Sequence, residues 1–244
     1  MISVIIPTLN EEKSLPSLLQ TLMQEDTDKE IIVVDGGSRD NSIRLAQDYD
    51  VKVLLISSPG RGAAICQGVN EASGDVLLFL HADTLFPAGG LKRIEQMLTE
   101  QPELVGGNFR LLFDGDTAFS RWLTSFYAWI RWCGLYYGDS GIFVRRSAYD
   151  ALDGIRPIPI MEDIDFVRRL EWFGKTCCIL EPSLITSSRR FQGRRSLEIV
   201  YGWIKLHVMF YLGASPERLA QIYATHAPPK PRADSGHVKR SQHG

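Results

Sequence analysis

The chain has 244 residues, 23% of them charged, and a formal net charge of −2. That length allows one large domain or two small ones around a sizeable core, and the near-neutral balance supplies no general basic field, so nucleic acid is not an expected partner. Cys66, Cys133, Cys177 and Cys178 form no CxxC pair, which argues for free thiols in a reducing compartment and against a disulfide frame or zinc site.

In chain order, Ile2–Pro7 is apolar and β-branched and predicts a central strand. The polar turn Thr8–Glu12 follows, then Leu15, Leu18, Leu19, Leu22 and Met23 recur at helical spacing. Glu30–Asp35 predicts a second strand running into Gly36-Gly37-Ser38. Asp40 or Ser42 is placed to cap a helix reaching about Asp48. Val51–Ser57 predicts a third strand, and Gly60-Arg61-Gly62 opens a helix through Ala63, Ile65 and Val69. Val76–Leu80 is an apolar run suited to a strand buried on both faces, with His81 and Asp83 where it surfaces. Strands alternating with helices in this way predict βαβ units and a parallel sheet.

Past Pro87 the pattern predicts a helix over about 90–99, a strand at Val105–Phe113 and an aromatic helix over Phe119–Tyr137 flanked by Arg121 and Arg131. A short strand at Gly141–Val144, a helix at Met161–Phe173, a strand at Lys175–Glu181 and a second aromatic helix at Leu197–Leu212 complete the folded part. From about Pro228 the chain is rich in Pro, charge and Ser, the composition of a disordered tail. The N-terminus has no basic leader and no run reaches ~18 uninterrupted apolar residues, so a cytoplasmic protein is expected.

A parallel sheet would align the ends of the first, second and fourth strands, bringing Thr8, Asp35 and Asp83 to one edge, where ligands of open α/β sheets sit. A carboxylate there can hold a cation, and the cation a diphosphate. The plainer alternative is a buried strand ending in a polar turn. No GxGxxG follows the first strand and no GxxxxGK[ST] occurs, which removes the main support for a dinucleotide site and excludes a P-loop.

The runs SVIIPTLNEE, EIIVVDGGSRDNS and GRGAAICQGVNEASGDVLLFLHADT, followed by GDSGIFVRR and MEDIDF, resemble family 2 glycosyltransferases over most of residues 1–190. The nearest likeness is to the small bacterial branch called the radical-SAM/selenodomain-associated transferase 2 group. The resemblance implies a GT-A fold: an α/β, Rossmann-like, mostly parallel central sheet flanked by helices, here with a C-terminal aromatic helical extension. It implies a single domain over 1–227, with a nucleotide-binding half at 1–86, an acceptor half at 87–190, C-terminal helices at 191–227 and a tail at 228–244. The implied activity is an inverting transfer of a sugar from a nucleotide-diphosphate sugar, with UDP favoured, to an acceptor hydroxyl with Mg²⁺ or Mn²⁺.

The resemblance places nucleotide contacts at Pro7, Thr8, Asn10, Asp35, Arg61 and Ala82. The Asp35 carboxylate can accept from a ring N–H such as that of uracil, or simply start an Asx turn. Arg61 can approach the base or a phosphate, or be a solvated loop residue. Glu11 and Glu12 have only a capping role for the first helix. Asp83 is the metal candidate; the family's Asp-x-Asp is here His81-Ala82-Asp83, so the first acid is replaced and His81 either lines the donor site or bonds to backbone. By resemblance Asp163 is the general base and Glu162 its orienting neighbour; an acidic first helical turn is the alternative, and Asp165 belongs to it.

Asp139 and His81 are candidates for sugar or acceptor contact. So are Arg189 and Arg190, which with Arg194 and Arg195 form a basic cluster able to clamp a diphosphate or to lie solvated. The aromatic helices suit sugar stacking, a membrane surface beside a lipid acceptor at the inner face of the membrane, core packing or a homodimer contact. Two other functions compete. A sugar-nucleotide nucleotidyltransferase would begin with a Gly-rich loop and a basic residue after the first strand, where this chain has PTLNEE. A non-catalytic nucleotide-sugar sensor would not need Asp163.

Overall fold

The computed structural model describes residues 1–56, 60–114, 117–186 and 196–226. Strands β1 (Ile2–Thr8), β2 (Lys29–Asp35), β3 (Lys52–Leu55) and β4 (Val76–Phe79) pair in parallel, with Thr8 opposite Asp35 and Ile5 opposite Phe79. The two-residue β5 (Thr84–Leu85), β6 (Leu104–Phe113), β7 (Ile142–Arg145) and β8 (Lys175–Thr186) extend this sheet. The order across its eight strands is β3-β2-β1-β4-β7-β6-β8-β5. The β4–β7, β7–β6 and β8–β5 pairs are antiparallel and β6–β8 is parallel.

Alternation along β1 builds two core layers, because successive side chains point to opposite faces of a sheet. Val4 and Ile6 join the leucines of α1 (Leu15–Met23) on one face, while Ile5 meets Ile65 and Val69 on the other. Ile65 and Val69 belong to α3 (Arg61–Asn70), which follows the single-turn α2 (Ser42–Ala46). A Cβ at Gly68 would come within 2.6 Å of Ile5 Cγ2, so glycine lets α3 lie flat on the sheet. Helices α4 (Gly90–Glu100), α5 (Ala118–Trp132), α6 (Arg146–Ala151) and α7 (Glu162–Phe173) follow in the second half. A third apolar cluster joins Met161 and Ile164 to Leu206 and Leu219, seating α8 (Ser196–Tyr211) and α9 (Pro216–His226) against the start of α7. Among the described residues no helix is long and apolar enough to cross a membrane.

The structure corrects several expected boundaries. The aromatic helix starts at a Thr117–Ser120 capping box and stops at Trp132 rather than Tyr137, because Gly134 takes φ 77° and turns the chain. Strand β8 runs past Glu181 to Thr186, since Leu184 and Ile185 find partners in Leu111 and Leu112. The short β5 and α6 were not anticipated; neither is long enough to show a period. Glu12 does not cap α1: its Oε2 accepts from Asn41 N and Nδ2 at 3.1 and 3.0 Å, tying the first loop to the start of α2. Asn41 itself is the N-cap position of α2, between the Asp40 and Ser42 expected there. The tail, and the basic residues Arg189, Arg190, Arg194 and Arg195, lie outside the described residues.

Candidate functional site

The first half of the site is built from the loops after β1 and β2. Asp35, 1% exposed, accepts from the amides of Gly37 and Ser38 on Oδ1, each at 2.8 Å. This is the Asx turn anticipated for the sequence DGGS, and it leaves Oδ2 buried with no hydrogen-bond partner. The Asn10 amide N–H donates to Ser38 Oγ and Asn10 Oδ1 accepts from Arg39 N, both at 2.8 Å, so Asn10 braces one loop against the other at φ 58°. Thr8 is buried and donates to the Ile6 carbonyl at 3.2 Å, while Pro7 is half-buried one residue before it.

The second half is an acidic cluster around Arg61 at the start of α3. Arg61 Nε donates to Glu162 Oε1, and Nη2 donates to Asp163 Oδ2 at 3.2 Å. Nη1 lies 2.9 Å from His81 Nε2. A guanidinium has donors only, so Nε2 is the acceptor and the proton of this neutral His81 sits on Nδ1. Arg61 is thus not a solvated loop residue, though one N–H on each of Nη1 and Nη2 stays available on its part-exposed edge, and His81 Nε2 is spoken for by a side chain rather than by backbone. The Gly138 amide, in the 3₁₀ turn Gly138–Ser140, donates to Asp163 Oδ2 at 2.8 Å. A Cβ at position 138 would come 3.1 Å from His81 Nε2 and 3.2 Å from Asp163 Oδ2, so any side chain there would push these groups back by a few tenths of an ångström.

Glu162, Asp163 and Asp139 are 2%, 9% and 2% exposed, so three acids are buried around one arginine. Burial raises the Glu162 carboxyl above its ordinary value; Arg61 offsets part of this and the charge of Asp163 adds to it. Burial works against the charge of Arg61, but Asp163 and Glu162 outweigh it and hold the guanidinium more firmly protonated than usual. Asp139 Oδ2 accepts from the Tyr127 hydroxyl at 3.2 Å. Burial first, then the charges of Asp139 and Asp163, raise the Tyr137 phenol. Its hydroxyl lies 3.1 Å from His207 Nε2, and His207 Nδ1 donates to the Trp203 carbonyl at 2.8 Å, so Tyr137 is the donor. Tyr127, Tyr137, Gly138 and His207 are site residues that sequence reasoning did not single out. Only Gly138 carried a signal, as the first residue of GDSG. Asp165 bonds Arg156 and Arg169 instead, in keeping with a structural role.

Asp83 follows His81 by two residues, past the end of β4, with Ala82 buried between them. Its half-buried carboxylate has no partner among the described residues. No group of three or more His, Cys, Asp or Glu side chains among those residues is arranged to hold a metal. The donors therefore do not form a cage of protein ligands; one free carboxylate oxygen pair fits a hard cation that draws its other ligands from phosphate and water.

A family model described as "Glycosyl transferase family 2" matches residues 3–151. The undecaprenyl-phosphate 4-deoxy-4-formamido-L-arabinose transferase of Pseudomonas syringae pv. syringae is 35% identical over 180 residues, 66% of this chain and 53% of that protein. The transferase of the same name from Proteus mirabilis is 34% identical over 116 residues, 43% of this chain and 36% of that protein. The chain spans about half or less of the length of these curated relatives. A mannosyltransferase from Pyrobaculum calidifontis, solved with GDP-Man and Mn²⁺, superposes with a TM-score of 0.64 at 18% identity, over 93% of this chain and 68% of that one. That likeness shows a shared GT-A fold, and the match over residues 3–151 shows the family: the chain belongs to glycosyl transferase family 2.

Proposed function

We propose that the chain moves a sugar, with inversion, from a nucleotide-diphosphate sugar to an acceptor hydroxyl. The observation that carries this reading is the unpaired, buried Oδ2 of Asp35 at the sheet edge beyond which Asp83 and the acid cluster also lie. A ring N–H, as on uracil N3, supplies the donor this oxygen lacks, which favours UDP. Pro7, Thr8 and Asn10 shape the floor on which that base would rest. Asp83 would hold Mg²⁺ or Mn²⁺ together with the diphosphate. A cation so bound offsets the charge that grows on the diphosphate as the sugar leaves.

Asp163 is the proposed base. It takes the acceptor's proton as the oxygen attacks from the side opposite the diphosphate. The Gly138 N–H and Arg61 fix its orientation, and Glu162 holds Arg61 in turn. The relatives are named for transfer to undecaprenyl phosphate, whose phosphate oxygen is already ionised near neutral pH and needs no base. The described cluster sets three buried acids against one arginine, which disfavours a phosphate dianion as the attacking group and suits a neutral hydroxyl. A lipid body for the acceptor is compatible with the exposed Trp129, Trp132, Tyr201 and Leu212 on or beside α5 and α8, which suit docking at a lipid–water interface on the cytoplasmic side.

The test offers UDP-sugars with a polyprenol or with a polyprenyl phosphate and measures UDP release, alongside calorimetric UDP binding with Mn²⁺ or chelator. Release with the polyprenol, binding strengthened by Mn²⁺, and UDP binding retained in Asp163→Asn are expected. Release only with the phosphate, undiminished in Asp163→Asn, would remove the base. Binding that is retained in a chain with no transfer at all would identify a sensor.

A further inference from the structure

The turn that carries Gly138 is tied to three helices by three consecutive residues. The Tyr137 hydroxyl donates to His207 Nε2 of α8 at 3.1 Å, the Gly138 amide donates to Asp163 Oδ2 of α7 at 2.8 Å, and Asp139 Oδ2 accepts from the Tyr127 hydroxyl of α5 at 3.2 Å. His207 is itself fixed. Its Nδ1 donates to the Trp203 carbonyl at 2.8 Å, and its ring stands edge-on to Tyr137 with centroids 5.7 Å apart. Trp203 stacks on Phe126 of α5, 15° from parallel, and meets Tyr127 edge-on. The Tyr127 and Tyr137 rings lie 5.3 Å apart, so aromatic side chains from α5, the turn and α8 form one group.

The residue before His207 holds the other side of the acid cluster. Leu206 packs with Leu219 of α9 against Met161 and Ile164, the neighbours of Glu162 and Asp163. Met161 has φ 63°, a left-handed conformation that a non-glycine residue keeps where its surroundings enforce it. Successive side chains of an α-helix diverge by about 100°, which lets one helix reach in both directions. Leu206 therefore secures the start of α7, which carries the Asp163 acceptor, and His207 secures the turn that carries the Gly138 donor.

We propose that His207 is a positioning residue for sugar transfer: through Tyr137 it sets the Gly138 N–H on Asp163 and so aims the base. The inference rests on the reading of Asp163 as that base. Without the bond the turn is free to drift, while the Asp35–Asp83 edge is untouched. The loss then falls on the rate of the bound complex and not on donor binding.

Two variants remove the bond from opposite ends: Tyr137→Phe, and His207→Phe, which keeps a ring beside Tyr137. Each is read twice, by the assigned Gly138 amide resonance of the ¹⁵N-labelled full chain and by steady-state transfer from UDP-sugars to a polyprenol. An amide proton donating to a carboxylate resonates downfield, so both variants should move Gly138 upfield. The kcat should fall about 10- to 100-fold with donor KM within about twofold of the wild type. His207→Gln, whose side-chain oxygen can accept from Tyr137, should recover most of the loss. The double variant should lose no more than one single variant, as expected for two ends of one bond. A Gly138 resonance left in place, an unchanged kcat, additive losses in the double variant or a loss confined to KM would overturn the proposal. A wild-type chain that transfers no sugar would count against the base, whereas an unmoved Gly138 resonance counts against His207 alone.

Discussion

The two polar clusters of this molecule are held by opposite means. Asp35 is fixed by backbone amides two and three residues ahead of it, and the arrangement leaves one carboxylate oxygen free. Asp163 and Glu162 are fixed by Arg61, 102 and 101 residues away, and by the Gly138 amide, 25 residues away. A carboxylate locked by its own turn is a stationary acceptor, suited to recognition. Buried carboxylates that share one arginine are held by charge from distant parts of the chain, and burial beside Asp163 raises the Glu162 carboxyl, the kind of setting in which protons are moved. Binding and chemistry are therefore expected to separate by mutation.

Asp163→Asn gives the largest effect, a loss of transfer of about a thousandfold, the usual contribution of a general base. Nucleotide affinity, measured by calorimetry, should stay within about twofold of the wild type, and a matching fall in affinity would break the separation between the two clusters. Arg61→Met acts next, on stability. It leaves two buried acids without their cation, at a cost of about 3 kcal/mol, the low end for a buried pair because the guanidinium edge meets water. Scanning calorimetry should show Tm lowered by roughly 6–12 °C for a chain of this size. Asp35→Asn keeps the oxygen that ties the turn and converts the free one to an N–H donor. UDP affinity should fall about 10- to 100-fold with little change in Tm.

The smallest effect is a pH dependence. The folded-state pKa of Glu162 is raised above its ordinary 4.5, so the protonated form is the one the fold prefers. Its contribution to stability is present below 4.5 and is lost as pH rises through the raised value. Glu162→Gln is permanently neutral and should gain on the wild type as pH rises from 4 towards neutrality, as read from urea midpoints. A Glu162→Gln variant that instead gains on the wild type as pH falls would mean that Arg61 holds Glu162 ionised.

What the residues revealed in advance follows the same division. The β-branched runs of β1 and β2 and the buried run of β4 announce a parallel sheet, and that topology alone brings Thr8, Asp35 and Asp83 to one edge. The turn at Asp35 was legible because all its bonds lie within the tetrapeptide DGGS. Arg61 stands out in GRG, but its pairing with Glu162 and Asp163 was not legible, since nothing there indicates that these partners begin α7. The end of α5 was masked by aromatics continuing to Tyr137, and Gly134 alone stops the helix. His207 reaches Tyr137 from a helix 70 residues on, a pairing that only packing of α8 against α7 creates.

The most direct measurement is a crystal structure of the chain with UDP and Mn²⁺. Asp35 Oδ2 is expected within hydrogen-bond distance of the uracil N3–H, with the cation on Asp83 and Asp163 still held by Gly138 on the open side of the diphosphate. A nucleotide bound elsewhere, leaving Asp35 Oδ2 unpaired and Asp83 without a cation, would contradict the assignment of this edge as the donor site.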